Sequence, residues 1–288
     1  MLFILLIWFI WSFNIKPFQI NSQINIAVFL AEEGYCQAAI ERMENILTEK
    51  SFLDSYSRSK YIEIINQCIE QKELPEAKDL AEKAVRALEE AAKIRPHCTR
   101  TWIILGQYNN LLMENWQEDR EEQARQALEK ALELSPKRQE AIKEVIKTDL
   151  LTGRYEEAKE KSEECINLND KLADCHWLAG LSNIYLNDLE KADDYLKTAT
   201  RKGYPARSKS SWLELIKAYI EIKNYPRLAE AYLNLIKLEP DNPQHYASLA
   251  FVYRELGQIE AAKKQALKII ELFPEHKAEA EEFLRTLE

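Results

Sequence analysis

The chain has 288 residues, 46% of them apolar, with six glycines, nine prolines and a formal charge of −9 from 48 acidic against 39 basic residues. That supplies ample core material, and so few glycines and prolines exclude long flexible linkers. The absence of any basic run excludes a nucleic-acid partner, whose phosphates require a cationic face.

Residues 2–13 form an apolar run broken only by Ser12 and followed by Asn14, Ile15, Lys16 and Pro17. A transmembrane helix needs about 20 apolar residues, so the run is several short. It lacks the basic leader and the small-residue cleavage site of a signal peptide. Two arrangements satisfy it: the last turns of a longer membrane helix, or a short anchor lodged in one leaflet. Trp8 and Trp11 suit an interfacial level and Lys16 can snorkel. An apolar lid on a soluble fold competes with both, but would have to hide the whole run. Residues 1–18 are therefore expected to contact a membrane. Orientation stays open, because Lys16 is the only basic residue before Arg42.

From Gln19 onward the chain cycles with a period of about 34 residues, the spacing of a stacked helical repeat. The copies fall at 20–53 (Ala27, Gly34, Ala39), 54–98 (a long second helix from about Pro75 to Ile94, ended by Pro96) and 99–138 (Trp102, Leu105, Gly106, then Ala124, Ala131 and Pro136). They continue at 139–172 (Gly153, Tyr155, Ala158, Cys165) and 173–208 (Gly180, Leu189, Ala192, Ala199). The last two are 209–242 (Trp212, Leu215, Tyr219, Tyr225, Tyr232, Pro240) and 243–276 (Tyr246, Leu249, Ala250, Tyr253, Gly257, Ala262, Pro274). Residues 277–288, half of them charged, read as the polar cap that an open stack requires. The third copy is several residues longer, near Met113 to Arg120, which calls for extended helices or a longer turn there.

These W-x2-L-G-x2-Y, A-x3-F and P positions resemble the tetratricopeptide repeat over nearly the whole chain. The resemblance implies an all-α, right-handed helical solenoid of about seven helix–turn–helix repeats, with a capping helix after them and an apolar helix before them. In each pair the small residues (Gly106, Gly180 and Ala250 on helix A; Ala39, Ala124, Ala158, Ala192 and Ala262 on helix B) mark the closest approach. Apolar positions recur at helical spacing and nothing alternates with period two, so no sheet is expected. A narrower resemblance covers about residues 1–60. The segment Phe13 to Gln19, directly after the apolar run and before the first repeat, is similar to the junction in bacterial O-antigen ligase-like membrane proteins. There the last membrane helix continues into a repeat tail. This implies a cell-envelope location with the repeats outside the cytoplasm, and brings no catalytic residue with it.

Five cysteines, Cys36, Cys68, Cys98, Cys165 and Cys175, are scattered and odd in number, so at least one thiol stays unpaired. Unpaired thiols fit an extracytoplasmic location less comfortably. Cys165 and Cys175 flank one interhelix turn and are close enough to meet; the favoured reading places Cys165 in the core where the repeat usually has alanine. No metal site is expected, because His97-Cys98 and Cys175-His176 lie in repeats too far apart to converge. With no phosphate loop, HExxH or G-x-S-x-G present, neither a cofactor nor catalysis by this chain alone is expected.

The helix A face away from its partner helix is the expected binding stripe. It carries Gln107 and Asn110, Lys143 and Lys147, then Trp177, Leu181 and Tyr185, then Lys217, and finally Phe251 and Arg254. Cations and apolar side chains in an otherwise acidic chain predict an extended peptide or a helix of a partner protein as ligand. The chaperone-tail clamp of some such repeats is missing, since Lys147 and Leu178 stand where asparagine is needed. The function expected is thus a membrane-associated interaction scaffold, the alternative a free-standing cytoplasmic adaptor.

Overall fold

The computed structural model describes residues 2–49, 51–71 and 74–287, and every regular element among them is helical. The chain divides into two compact units, Met1–Thr152 and Gly153–Glu288.

In the first unit, α1 (Leu2–Ile10) passes through a π-helical turn (Trp11–Ile15) into α2 (Lys16–Glu32). After it come α3 (Cys36–Thr48), α4 (Asp54–Glu70), α5 (Leu74–Ile94), α6 (Thr99–Trp116), α7 (Glu121–Leu134) and α8 (Gln139–Leu151). From α2 onward each helix packs on the next, and α2 also meets α4 as α6 meets α8. This is the pattern of antiparallel pairs stacked in sequence order, each lending its neighbour a wall. The extra length expected near Met113 extends α6 to Trp116.

The second unit holds α9 (Tyr155–Leu168), α10 (Ala173–Tyr185), α11 (Leu189–Arg201), α12 (Lys209–Glu221), α13 (Tyr225–Leu238), α14 (Pro243–Glu255) and α15 (Ile259–Leu272). A 3-10 turn at Pro274–His276 leads to α16 (Lys277–Arg285), which packs on α15. Here α10 pairs with α11, α12 with α13 and α14 with α15, and α10 also touches α12. The fourth sequence copy, 139–172, has its two helices on either side of the division between units.

Two local devices recur at the repeat period. The A-to-B turn closes through a left-handed residue at Gln117, Gly153, Asn187, Lys223 and Gly257, positions spaced 36, 34, 36 and 34 apart. Only glycine enters that region without a Cβ penalty, so Gln117 and Lys223 hold it at a cost that packing of the flanking helices offsets. Secondly, a side chain in the first turn of helix A reaches back six residues to the preceding turn. Trp102 Nε1 donates to Pro96 O at 2.8 Å, Ser211 Oγ to Pro205 O at 2.8 Å and Tyr246 OH to Pro240 O at 3.0 Å; His176 Nε2 lies 2.9 Å from Asp170 O. Each fixes the entry angle of a new repeat and satisfies a carbonyl that proline or a turn leaves open.

The small residues sit where the helices come closest. Ala39, Ala124, Ala158, Ala192, Ala250 and Ala262 are all buried. A Cβ at Gly106 would stand 2.5 Å from Leu128 Cδ2, and one at Gly180 would stand 2.6 Å from Leu196 Cδ2. Helix B could not lie that near a larger side chain.

Candidate partner-binding face and apolar anchor

On the first unit, the face shared by α6 and α8 is organised around one buried carboxylate, Glu144. Gln107 Nε2 donates to its Oε1 at 3.3 Å, Lys147 Nζ to the same oxygen at 2.9 Å, and Asn110 Nδ2 to Oε2 at 3.3 Å and to the main-chain carbonyl at 3.0 Å. Thr148 Oγ1 lies 2.8 Å from Asn110 Oδ1. A carboxylate out of water needs such partners. Asn110 is therefore an interior residue, whereas Gln107 and Lys147 are exposed and Lys143 is half-buried. Beside this network a groove of about 540 Å³ runs along the helix A face, lined among others by Asn66, Arg100, Ile103, Gln107 and Arg138.

The second unit treats its stripe differently. Trp177 is 2% exposed: its ring stacks on Tyr204 at 4.3 Å and its Nε1 donates to Glu214 Oε2 at 2.6 Å. Leu181 is buried too, so Trp177 and Leu181 form repeat-to-repeat packing and offer no surface to a ligand. Burial, followed by the charge of Glu214, pushes the Tyr204 phenol well above its ordinary range. Tyr185 is half-buried, stacked on Tyr155 at 4.5 Å. Lys217 and Phe251 are exposed, and the Arg254 guanidinium lies 4.6 Å from the Phe251 ring centre. That contact presents a cation and an apolar face together, a pairing favourable by about 0.5–1 kcal/mol at an exposed site. Sequence mapping missed Glu144 and Glu214, since an acidic residue in a Glu/Lys-rich helix reads as solvated.

The N-terminal segment is continuous with the fold. Among the described residues one helix, Phe3–Glu32, is long and apolar enough to cross a membrane by length and composition. Phe3 through Ile10 are all exposed, from 43% to 73%. Phe13 stacks on Phe52 at 5.9 Å and Lys16 pairs with Glu49 at 3.4 Å, so the turn after α3 reaches the level of these residues. Residues 3–12 lie before these contacts. At about 1.5 Å per residue they cover about 15 Å, half of a hydrocarbon core about 30 Å thick.

The cysteines correct the sequence reading. Cys36 is bonded to Cys68 and Cys165 to Cys175, with Cα atoms 5.6 and 5.8 Å apart. Both bonds staple helix B of one pair to helix A of the next. Cys165 is indeed fully buried, but as half of a disulfide and not as an alanine substitute. Only Cys98 is free; the Thr101 hydroxyl first, then main-chain amides and the charge of Arg95, hold its thiol below the usual range against the opposing pull of burial. Among the described residues no group of three or more His, Cys, Asp or Glu is placed to hold a metal.

Tetratricopeptide repeat models match residues 108–138 and 231–264. A tetratricopeptide repeat protein from Parabacteroides merdae superposes with a TM-score of 0.63 at 11% identity, over 93% of this chain and 98% of that one. The APC/C hetero-tetramer Cut9-Hcn1 gives 0.59 at 16% identity, over 91% of this chain and 48% of the other. PilW, a type IV pilus biogenesis factor, gives 0.54 at 15% identity, over 74% and 93%. In sequence, 125 residues are 29% identical to the BBSome complex member BBS4 of Bos taurus, which is 43% of this chain and 23% of that protein. The aligned part is thus under a quarter of that relative's length. The fold is that of a tetratricopeptide repeat solenoid, a fold whose usual work is binding other proteins.

Proposed function

We propose that this chain is a membrane-associated interaction scaffold of the cell envelope. Its repeats bind a peptide or helix of a partner protein, and residues 3–12 enter the bilayer. The exposed apolar helix carries this reading: left in water it would present nine consecutive exposed apolar side chains, Phe3 to Trp11, and such surfaces mark contact sites. The two disulfides support placing the repeats on an oxidising, extracytoplasmic side. Two of the similar proteins, by their names, work within multi-subunit assemblies, which favours a protein ligand.

The test is flotation of the full chain with phospholipid vesicles, beside a Leu5→Asp, Trp8→Asp variant. Burying a charge in lipid costs about 2.5–3.5 kcal/mol at a helix centre, so the variant should stay at the bottom of the gradient. Equal flotation of both proteins, or of neither, sinks the membrane reading. A narrower proposal, the repeat tail of an O-antigen ligase-like envelope protein, draws support from the unbroken passage of α1 into α2. Reading the coding DNA upstream of Met1 tests it; the absence of in-frame hydrophobic segments there would count against it.

A further inference from the structure

Between α4, α5 and α6 the first unit leaves a second groove, of about 370 Å³. Its floor is apolar, with Ile62, Leu88 and Ile104, and its rim carries three guanidinium groups, Arg58, Arg95 and Arg100. Arg58 is tied to Asp54, Nε to Oδ2 at 3.0 Å and Nη2 to Oδ1 at 3.4 Å. Glu63, the other carboxylate on the wall, is held by Lys60 at 2.7 Å. Arg95 and Arg100 are exposed and have no carboxylate partner among the described residues. Three cations line this groove against two carboxylates, the reverse of the chain's overall balance of −9. Arg100, Asn66 and Ile104 also line the 540 Å³ groove, so the two adjoin as a channel along the helix A face, to which the larger groove adds Arg138 and Glu140, paired with each other at 2.9 Å.

We propose that this channel takes an acidic peptide segment of the partner protein. An apolar side chain would fill the floor while neighbouring Asp or Glu carboxylates meet Arg95 and Arg100. Guanidinium forks match carboxylates two bonds at a time, and a cation left without a partner in an acidic chain is complementary to an anion not yet bound. Ser59 Oγ and Asn66 Nδ2 supply polar groups for the peptide's main chain, Asn66 Oδ1 already accepting from Tyr108 OH. A pair of arginines over an apolar floor is too short a cationic track for a nucleic-acid strand, which spreads its contacts over many phosphates.

This deepens the scaffold reading and rests on its protein-ligand half. The probe is a labelled peptide alternating leucine with glutamate, compared with its leucine–glutamine counterpart by fluorescence polarisation on the full chain in detergent micelles. The acidic peptide should bind at least about tenfold tighter, the effect of a single charge-assisted hydrogen bond. An R95Q/R100Q variant should lose that advantage while keeping its circular dichroism and melting temperature; a K264E variant, on the exposed side of α15 and outside both the groove and the stripe, should keep it. Equal binding of the two peptides, no binding of either, or an unchanged R95Q/R100Q variant overturns the proposal. So does binding of an oligonucleotide or anionic vesicle through these arginines in place of the peptide. If the R95Q/R100Q variant still captures a crosslinked partner from membranes, the groove assignment fails and the scaffold reading stands.

Discussion

Replacing Gly106 with alanine adds one methyl group at the tightest point of the third repeat, and the structure sets its cost. The new Cβ would lie 2.5 Å from Leu128 Cδ2 and 2.6 Å from its Cγ. Leu128 is fully buried, so it has no solvent to swing into. Overpacking of this kind costs about 1–3 kcal/mol, against a gain of about 1 kcal/mol from removing glycine inside a helix. With contacts this short against a side chain that has no room to move, the upper half of that range applies, about 2–3 kcal/mol, and the net expectation is a loss of about 1–2 kcal/mol. Gly180→Ala makes a similar contact with Leu196, but that side chain is half-buried and can turn outward. There the propensity gain should nearly cancel the clash, leaving a change within about 0.5 kcal/mol. Urea unfolding of the full chain in micelles, followed by circular dichroism, measures both. The cause is checked by repeating Gly106→Ala in a Leu128→Ala background, where the penalty should vanish. The reasoning is refuted if Gly106→Ala is neutral, if the two glycines respond alike, or if the penalty survives without Leu128.

Thiol counting by mass spectrometry without reductant should find one free cysteine per chain, Cys98; five free thiols would remove the support for an oxidising compartment. Replacing Cys36 and Cys68 with alanine should cost about 3–4 kcal/mol, from loop-closure entropy over a separation of 32 residues, and the Cys165 and Cys175 pair about 3 kcal/mol over 10. Glu144→Leu should lower stability by about 1–3 kcal/mol, because buried Asn110 loses its carboxylate acceptor, and Gln107 and Lys147 lose theirs; a neutral result in thermal melts would mean that the network is dispensable. Hydrogen bonds from Lys209 first and His245 second hold the Glu239 carboxyl below its ordinary range. A depressed carboxyl stabilises at pH above its unfolded value and loses that contribution as pH falls through the folded one. The melting temperature should accordingly drop on acidification below about pH 4.5, and Glu239→Gln should flatten that slope.

The repeat frame was readable because packing imposes it directly. A glycine or alanine is needed wherever two helix axes converge, and Gly106, Ala124, Gly180 and Ala192 stand at those points in plain sequence. Spacing placed a helix start at Lys209 and extra length near Met113 to Arg120, but left a longer turn and extended helices as alternatives; α6 takes the second. Which way a helix A side chain faces was harder. Successive residues turn by about 100°, so one position separates the ligand face from the next repeat, and Trp177 and Leu181 fell on the packing side. The Cys36–Cys68 bond was illegible for a related reason. The start of α3 meets the end of α4 only through antiparallel stacking, which no local pattern of cysteines records.

Because α1, the π-helical turn and α2 follow one another without a break, nothing between the apolar end and the first repeat can act as a swivel. Ile20, Ile24, Ala27 and Ala31 are the wall of the first core and ride on the same axle as Trp8 and Trp11. Torque applied at one end arrives at the other. A single residue inserted near Asn14 would turn the apolar end by about 100° about that axle, so the compass bearing at which the first repeat faces its surroundings is written into the residue count of this one helix.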